Sequence, residues 1–289
     1  MEIEDSIATQ DWHAELGKSR GTPEPPDYDD VITNWTDYCH GGSPHYLGVY
    51  TPDRLQPVFT LTAGTQTKEP LPDPQRSADV IAHQLLCMGE VHYSEILCWV
   101  DALRDAPADG KRARERINEG GDPMLFQTGA FVFGGNAGLF KNTLEFPWSS
   151  LLLATIISSL VPGHLFSSAA ISCDVQTPVH RDQHNHRKLH SIIIPASRWE
   201  TGGELWTADP DGSIELDGRQ GAAYSLHPYR LFDSTKDHGT LPWTGTRIVI
   251  LGWHIRQGWR LSYDPRQTLL NLRYPIWSSE VLTDPYLSE

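Results

Sequence analysis

Basic charge is scarce in this chain. Lysine and arginine number 23 against 37 aspartates and glutamates, a formal net charge of −14 over 289 residues. That balance excludes a simple binder of polyanions. The deficit is uneven: residues 1–30 carry nine acidic and two basic side chains, whereas residues 164–260 carry ten of each sign. Cysteine is equally sparse. Cys39, Cys87, Cys98 and Cys173 form no CxxC pair, which excludes a zinc knuckle and favours a reducing compartment. Long apolar runs are missing too. The most apolar stretch, Leu151 to Leu160, holds serines and is followed by Pro162, and it is too short to span a bilayer. The opening MEIEDSIATQ lacks the basic-then-apolar pattern of a secretory signal. These absences predict a soluble, intracellular protein, nuclear or cytoplasmic. No internal repeat is found.

What is present is rich in turns and aromatics. Glycine and proline total 45 residues and tryptophan ten, a composition that favours short strands over long helices. Residues 1–30, with Thr22-Pro23-Glu24-Pro25-Pro26, read as an acidic, disordered tail. Residues 31–124 read as a helical and irregular part packing on a core. Within it, apolar residues recur at helical spacing from Ser77 to Arg104, which predicts one or two helices. The run Lys111 to Arg116 is the one dense basic segment, either a solvated helix face or a phosphate contact. Phe126 to Phe133 reads as a strand and Pro147 to Leu160 as a helix with proline in its first turn. From Leu165 onward, short branched and aromatic segments alternate with turns such as Thr201-Gly202-Gly203 and Asp217-Gly218, which predicts a barrel or sandwich over residues 125–260. Residues 261–289 form a C-terminal extension. The fold class expected is mainly β with flanking helices.

One constellation carries chemistry. His180 and Asp182 are two residues apart, so in an extended segment both side chains face one side. His238 follows 56 residues after the aspartate, a span that fits four or five short strands and a return alongside, and Arg247 comes nine residues later. Two histidines and a carboxylate can occupy one face of a non-haem Fe(II) ion and leave positions open for a cosubstrate and O₂. Arg247 stands where a distal carboxylate would need a bidentate partner, beside the metal but not on it. Two other readings stay open. With 13 histidines in the chain, and His184, His186 and His190 crowding this segment, a histidine-rich zinc site competes. Scattered surface polar residues are the other. The turn Leu241 to Gly245 predicts that the Arg247 strand runs antiparallel beside the strand feeding His238.

The runs Thr177-Pro178-Val179-His180-Arg181-Asp182-Gln183-His184-Asn185, Gly202-Gly203-Glu204-Leu205-Trp206 and Phe232-Asp233 through His238-Gly239-Thr240-Leu241-Pro242-Trp243-Thr244-Gly245-Thr246-Arg247 resemble the 2-oxoglutarate/Fe(II) dioxygenases. Within them the chain is most similar to the TET/JBP-like branch, including copies in algal, dinoflagellate and fungal mobile elements. Phe133-Gly134-Gly135-Asn136-Ala137-Gly138-Leu139 and Phe146-Pro147-Trp148 resemble the same sequences, and the match covers roughly residues 125–256. The resemblance implies a double-stranded β-helix of the jelly-roll or cupin kind. It implies Fe(II) on His180, Asp182 and His238, with 2-oxoglutarate anchored by Arg247, O₂ consumed and ascorbate stimulatory. It also implies a nucleic-acid substrate, DNA first, whose 5-methylcytosine or thymine methyl is oxidised after the base is flipped out.

Three further residues are candidates for substrate contact. Asn185 lies where TET-like enzymes approach the target base and could reach a Watson–Crick edge, or it caps a turn. Arg181 points away from the metal, toward solvent, phosphate or a carboxylate. Trp206 is a stacking platform or a core residue. The cysteine-rich region that precedes the core in animal TET proteins has no counterpart here, and no long base-flipping loop is evident. Three alternatives therefore accompany the DNA reading. One is a 2-oxoglutarate oxygenase acting on a protein side chain or small molecule. Another is the same fold using vitamin C as cosubstrate. The last is a cupin-like module that binds zinc or a sugar without catalysis.

Overall fold

A computed structural model describes residues 57–62, 69–104, 116–117 and 123–276. The acidic stretch 1–30, the basic residues 111–115 and residues 277–289 of the C-terminal extension lie outside them.

The N-terminal part alternates small strands and helices: β1 (Phe59–Thr60), α1 (Ser77–Met88), β2 (Glu90–Val91) and α2 (Tyr93–Arg104). The helical periodicity of Ser77 to Arg104 thus makes two helices. They divide at Gly89, whose φ of 75° is left-handed and whose N–H closes α1 on the Leu85 carbonyl, a C-cap that glycine adopts without a Cβ penalty. Next come β3 (Arg116–Ile117), the hairpin β4 (Met124–Phe133) and β5 (Asn136–Leu139), and the helices α3 (Lys141–Glu145) and α4 (Pro147–Leu160).

Trp148 to Ile157 of α4 are all buried, as expected of a helix apolar on every side that is wedged between layers. It packs on α1 and on the sheet behind it. No side chain of its own caps its start. Asp79 of α1 does so from across the interface, accepting the Ser149 N–H at 2.8 Å and the Trp148 N–H at 3.2 Å. Burial lifts the Asp79 pKa from 3.8 to about 6, against the pull of the Ser149 and Trp148 hydrogen bonds and of Arg76. The folded chain therefore binds this proton more tightly than the unfolded one. Its contribution to stability is complete below the unfolded value of 3.8 and is lost as the pH rises through about 6. Asp79→Asn is expected to flatten urea-unfolding stability between about pH 4 and pH 7, by about 2–3 kcal/mol relative to wild type.

The remaining strands are β6 (Ser168–Cys173), β7 (Val175–Gln176), β8 (Ser191–Pro195), β9 (Thr201–Gly202), β10 (Leu205–Ala208), β11 (Ile214–Leu216), β12 (Arg219–Tyr224), β13 (Arg230–Phe232), β14 (His238–Thr240), β15 (Trp243–Thr244) and β16 (Ile248–Trp253), followed by α5 (Tyr263–Asn271). They form a six-stranded sheet in the order β13-β8-β16-β6-β4-β5 and a four-stranded sheet in the order β11-β12-β10-β14. An antiparallel bridge between His180 and His238 extends the smaller sheet by one segment. Along the chain, β6, β8, β13 and β16 fall in the large sheet, and the His180 segment, β10, β12 and β14 in the small one. This shuttling is the double-stranded β-helix, a jelly roll. β8 is buried at every position and β6 likewise, because these central strands meet α4 on one face and the barrel interior on the other. No helix among the described residues is long and apolar enough to cross a membrane.

One expectation is corrected. β14 pairs with β10, whereas β16 pairs with β6 and β8. The strand entering at Arg247 is therefore not the neighbour of the strand carrying His238. The turn between them makes its own small ladder, β15 with β9, and the chain crosses to the other sheet.

Candidate metal centre

The strands dictate the geometry. His180 and His238 form a reciprocal backbone pair, His180 N–H to the His238 carbonyl at 2.9 Å and His238 N–H to the His180 carbonyl at 3.0 Å. Residues paired in this way project side chains on the same face, and the two imidazole centroids are 4.2 Å apart. Asp182, two residues on, joins that face, and its N–H is held by the Ser234 carbonyl at 2.9 Å. The ligand atoms of the three residues all lie within 4.8 Å of one another. His180 Nε2 is 3.5 Å from Asp182 Oδ1 and His238 Nε2 is 3.8 Å from Asp182 Oδ2.

The imidazoles are prepared as ligands. Nδ1 of His180 meets the Pro178 carbonyl at 2.9 Å, and Nδ1 of His238 meets the Lys236 carbonyl at 2.9 Å. A carbonyl only accepts, so Nδ1 carries the proton and Nε2 presents its lone pair. Burial, then the nearby His180 charge, lowers the His238 pKa. Burial also opposes the charged form of His180, but the hydrogen bond and charge of Asp182 outweigh it and raise that pKa. Two neutral-capable imidazoles and one carboxylate are positioned to bind a metal ion, and the donor set suits non-haem iron.

Arg247 immediately precedes β16. β16 begins beside Cys173 and Pro195, the last residues of β6 and β8, whereas Asn185, which binds Asp182, reaches Ser191, the first residue of β8. The Arg247 side chain is 2% exposed. Its guanidinium carbon lies 5.2 Å from the Trp199 ring and 5.3 Å from the Trp243 ring. Nε donates to the Gly203 carbonyl at 3.0 Å, and the backbone N–H donates to Asp174 Oδ1 at 2.8 Å. Burial pulls the pKa down to about 10, against the charges of Asp174 and Glu204, so the group remains cationic near neutrality. Nη2 is buried and finds no hydrogen-bond partner among the described residues. A buried guanidinium with an idle N–H is costly unless an anion completes it, and a carboxylate fits that fork.

Gly203 makes this cradle possible. A Cβ there would stand 2.7 Å from Trp199 Nε1 and 3.0 Å from Arg247 Nε, and its φ is +76°. Gly203→Ala is expected to lower stability by about 1–3 kcal/mol in urea unfolding. Gly202-Gly203 was visible in the sequence as a turn. Trp199, Asp174, Ser191 and Ser234 carried no such mark, because each acts on a residue far away in the chain.

The three candidate substrate contacts each engage protein partners in the structure. Trp206 is fully buried, donates its indole N–H to the Ile214 carbonyl at 3.0 Å, and packs over the open face of Gly221. It is core and no platform. Arg181 is exposed and takes the carboxylate option: its Nε and Nη2 hold Asp237, which Arg219 also binds at 2.7 Å. Asn185 is 8% exposed and spends its amide on Asp182 Oδ2 at 3.1 Å and Ser234 Oγ at 2.9 Å.

No protein-family model and no curated protein matches the chain. Among solved structures it is similar to NgTET1 in complex with 5mC DNA, at 12% identity over 45% of this chain and 60% of that one, with a TM-score of 0.31. It is also similar to a Pseudomonas putida prolyl-4-hydroxylase, at 17% identity over 52% and 76% with a TM-score of 0.28. A 2OG-Fe(II) oxygenase family oxidoreductase from Burkholderia pseudomallei matches at 14% identity over 66% and 95% with a TM-score of 0.30. Likenesses this distant carry no functional weight, so function is read from the residues of the site.

Proposed function

We propose that the protein is an Fe(II)- and 2-oxoglutarate-dependent oxygenase that oxidises the methyl group of 5-methylcytosine in DNA. One observation carries the oxygenase half. The ligand atoms of His180, Asp182 and His238 converge with each imidazole held through Nδ1, and the same barrel carries a buried arginine, Arg247, with an idle N–H. Bound Fe(II) with 2-oxoglutarate and O₂ supplies oxidative decarboxylation to succinate and CO₂ coupled to hydroxylation of a C–H bond. His180, Asp182 and His238 would hold the metal. Arg247, clamped by Trp199, Trp243 and Gly203, would fix the distal carboxylate and so orient the cosubstrate.

The substrate half is supported by the resemblance of Thr177–Asn185, Gly202–Trp206 and Phe232–Arg247 to the TET/JBP-like branch. A second reading, hydroxylation of a protein side chain or small molecule, has its own observation. Asp237 pairs with both Arg181 and Arg219, which engages the guanidinium of each and leaves one net positive charge for a phosphate to meet. The test is nucleoside mass spectrometry of DNA containing 5-methylcytosine, incubated aerobically with the protein, Fe(II), ascorbate and 2-oxoglutarate. Formation of 5-hydroxymethylcytosine is expected. Steady succinate production without any altered nucleoside would sink the DNA reading and leave the second.

A further inference from the structure

Asp182 does not stand alone beside the metal face. Its Oδ2 accepts the Asn185 amide at 3.1 Å, whose other N–H reaches Ser234 Oγ at 2.9 Å. Ser191 Oγ donates to the same Ser234 oxygen at 2.8 Å. Asn185, Ser191 and Ser234 are 8%, 5% and 2% exposed. The amide's orientation is fixed by chemistry. A carboxylate only accepts, so Asn185 must turn its NH₂ toward Asp182, and both donors are then used. The network ties together the loop after Asp182, the start of β8 in the large sheet and the turn before β14 in the small one.

We propose that Asn185 is a positioning residue that, by binding Asp182 Oδ2, fixes the orientation in which the Asp182 carboxylate faces His180 and His238. This rests on the metal assignment to His180, Asp182 and His238. Held in this way, the carboxylate would present one fixed orientation to an ion bound by His180, Asp182 and His238. Partners of this kind orient a ligand, and their loss typically weakens metal binding 10–100-fold.

The test is Co(II) titration of the purified full chain, followed by calorimetry and by d–d absorption. It compares wild type with Asn185→Ala, Ser234→Ala and His180→Ala, alongside thermal unfolding of each metal-free protein. Asn185→Ala is expected to weaken Co(II) binding about 10–100-fold. Ser234→Ala, which touches Asn185 but not the carboxylate oxygen, should shift it in the same direction by at least about twofold. If Asn185→Ala does not fold, Ser234→Ala decides alone. Lowered unfolding midpoints with unchanged Co(II) affinity would make the network merely structural and overturn the proposal. Wild-type binding of Co(II) that His180→Ala leaves untouched would overturn the metal assignment itself, a separate failure.

Discussion

His180→Ala and Asp182→Ala are each expected to drop 2-oxoglutarate turnover to the level of the metal-stripped protein and to abolish stoichiometric Co(II) binding. The size of the effect follows from coordination. Even a residue that only orients a ligand is worth 10–100-fold in metal affinity, and these residues are the ligands. The two remaining groups could hold an ion loosely but could not define one face of it. Folding should be almost untouched. The side chains of His180 and Asp182 are 35% and 39% exposed, and partly exposed positions of this kind cost within about 1 kcal/mol when truncated. Lost metal binding at an unchanged unfolding midpoint therefore separates a ligand from a framework residue. Succinate measured by coupled assay and Co(II) by absorbance provide the two readouts. Full activity in Asp182→Ala would mean that the metal sits elsewhere.

Arg247→Ala is expected to raise the KM for 2-oxoglutarate by roughly two to three orders of magnitude, with Arg247→Lys between the variant and wild type. Removing one partner of a buried charged pair costs about 2–5 kcal/mol, and each 1.4 kcal/mol is a factor of ten. Lysine keeps the charge but loses the planar fork and its stacking on Trp199 and Trp243. Co(II) affinity should stay within about twofold of wild type, because Arg247 is not among the residues that would hold the metal. A rise in KM at nearly constant kcat marks a contact made equally in ground and transition states. An unchanged KM would show that the cosubstrate's carboxylate is not held here. Attention would then turn to another cosubstrate, such as vitamin C, with Arg247 left as a core cation for Asp174.

The parts of this protein legible in its residues are those that local geometry governs. Two side chains at i and i+2 of an extended segment share a face wherever that segment goes, so His180 and Asp182 could be paired before any fold was known. Helix α4 announced itself through Pro147 and a mostly apolar stretch interrupted by serines, and the turn-punctuated strands after Leu165 foretold a β barrel. What the residues could not reveal is who meets whom across the sheets. Asn185 read as either a base contact or a turn cap, and the residues gave no sign that Ser234, 49 residues on, engages it. Trp206 read as either core or platform, and its burial against β11 and β12 is core. Arg181 found Asp237, 56 residues away. The placement of β14 and β16 in different sheets is likewise a pairing choice, since the short turn between them permits either a hairpin or a crossing. Sequence alone determined the chemical inventory of the site and the faces on which it lies, because backbone periodicity is local. The tertiary structure alone decided which polar groups are already spent on one another and which, like Arg247 Nη2, remain buried and unpaired, because hydrogen-bond satisfaction is settled between segments distant in the chain.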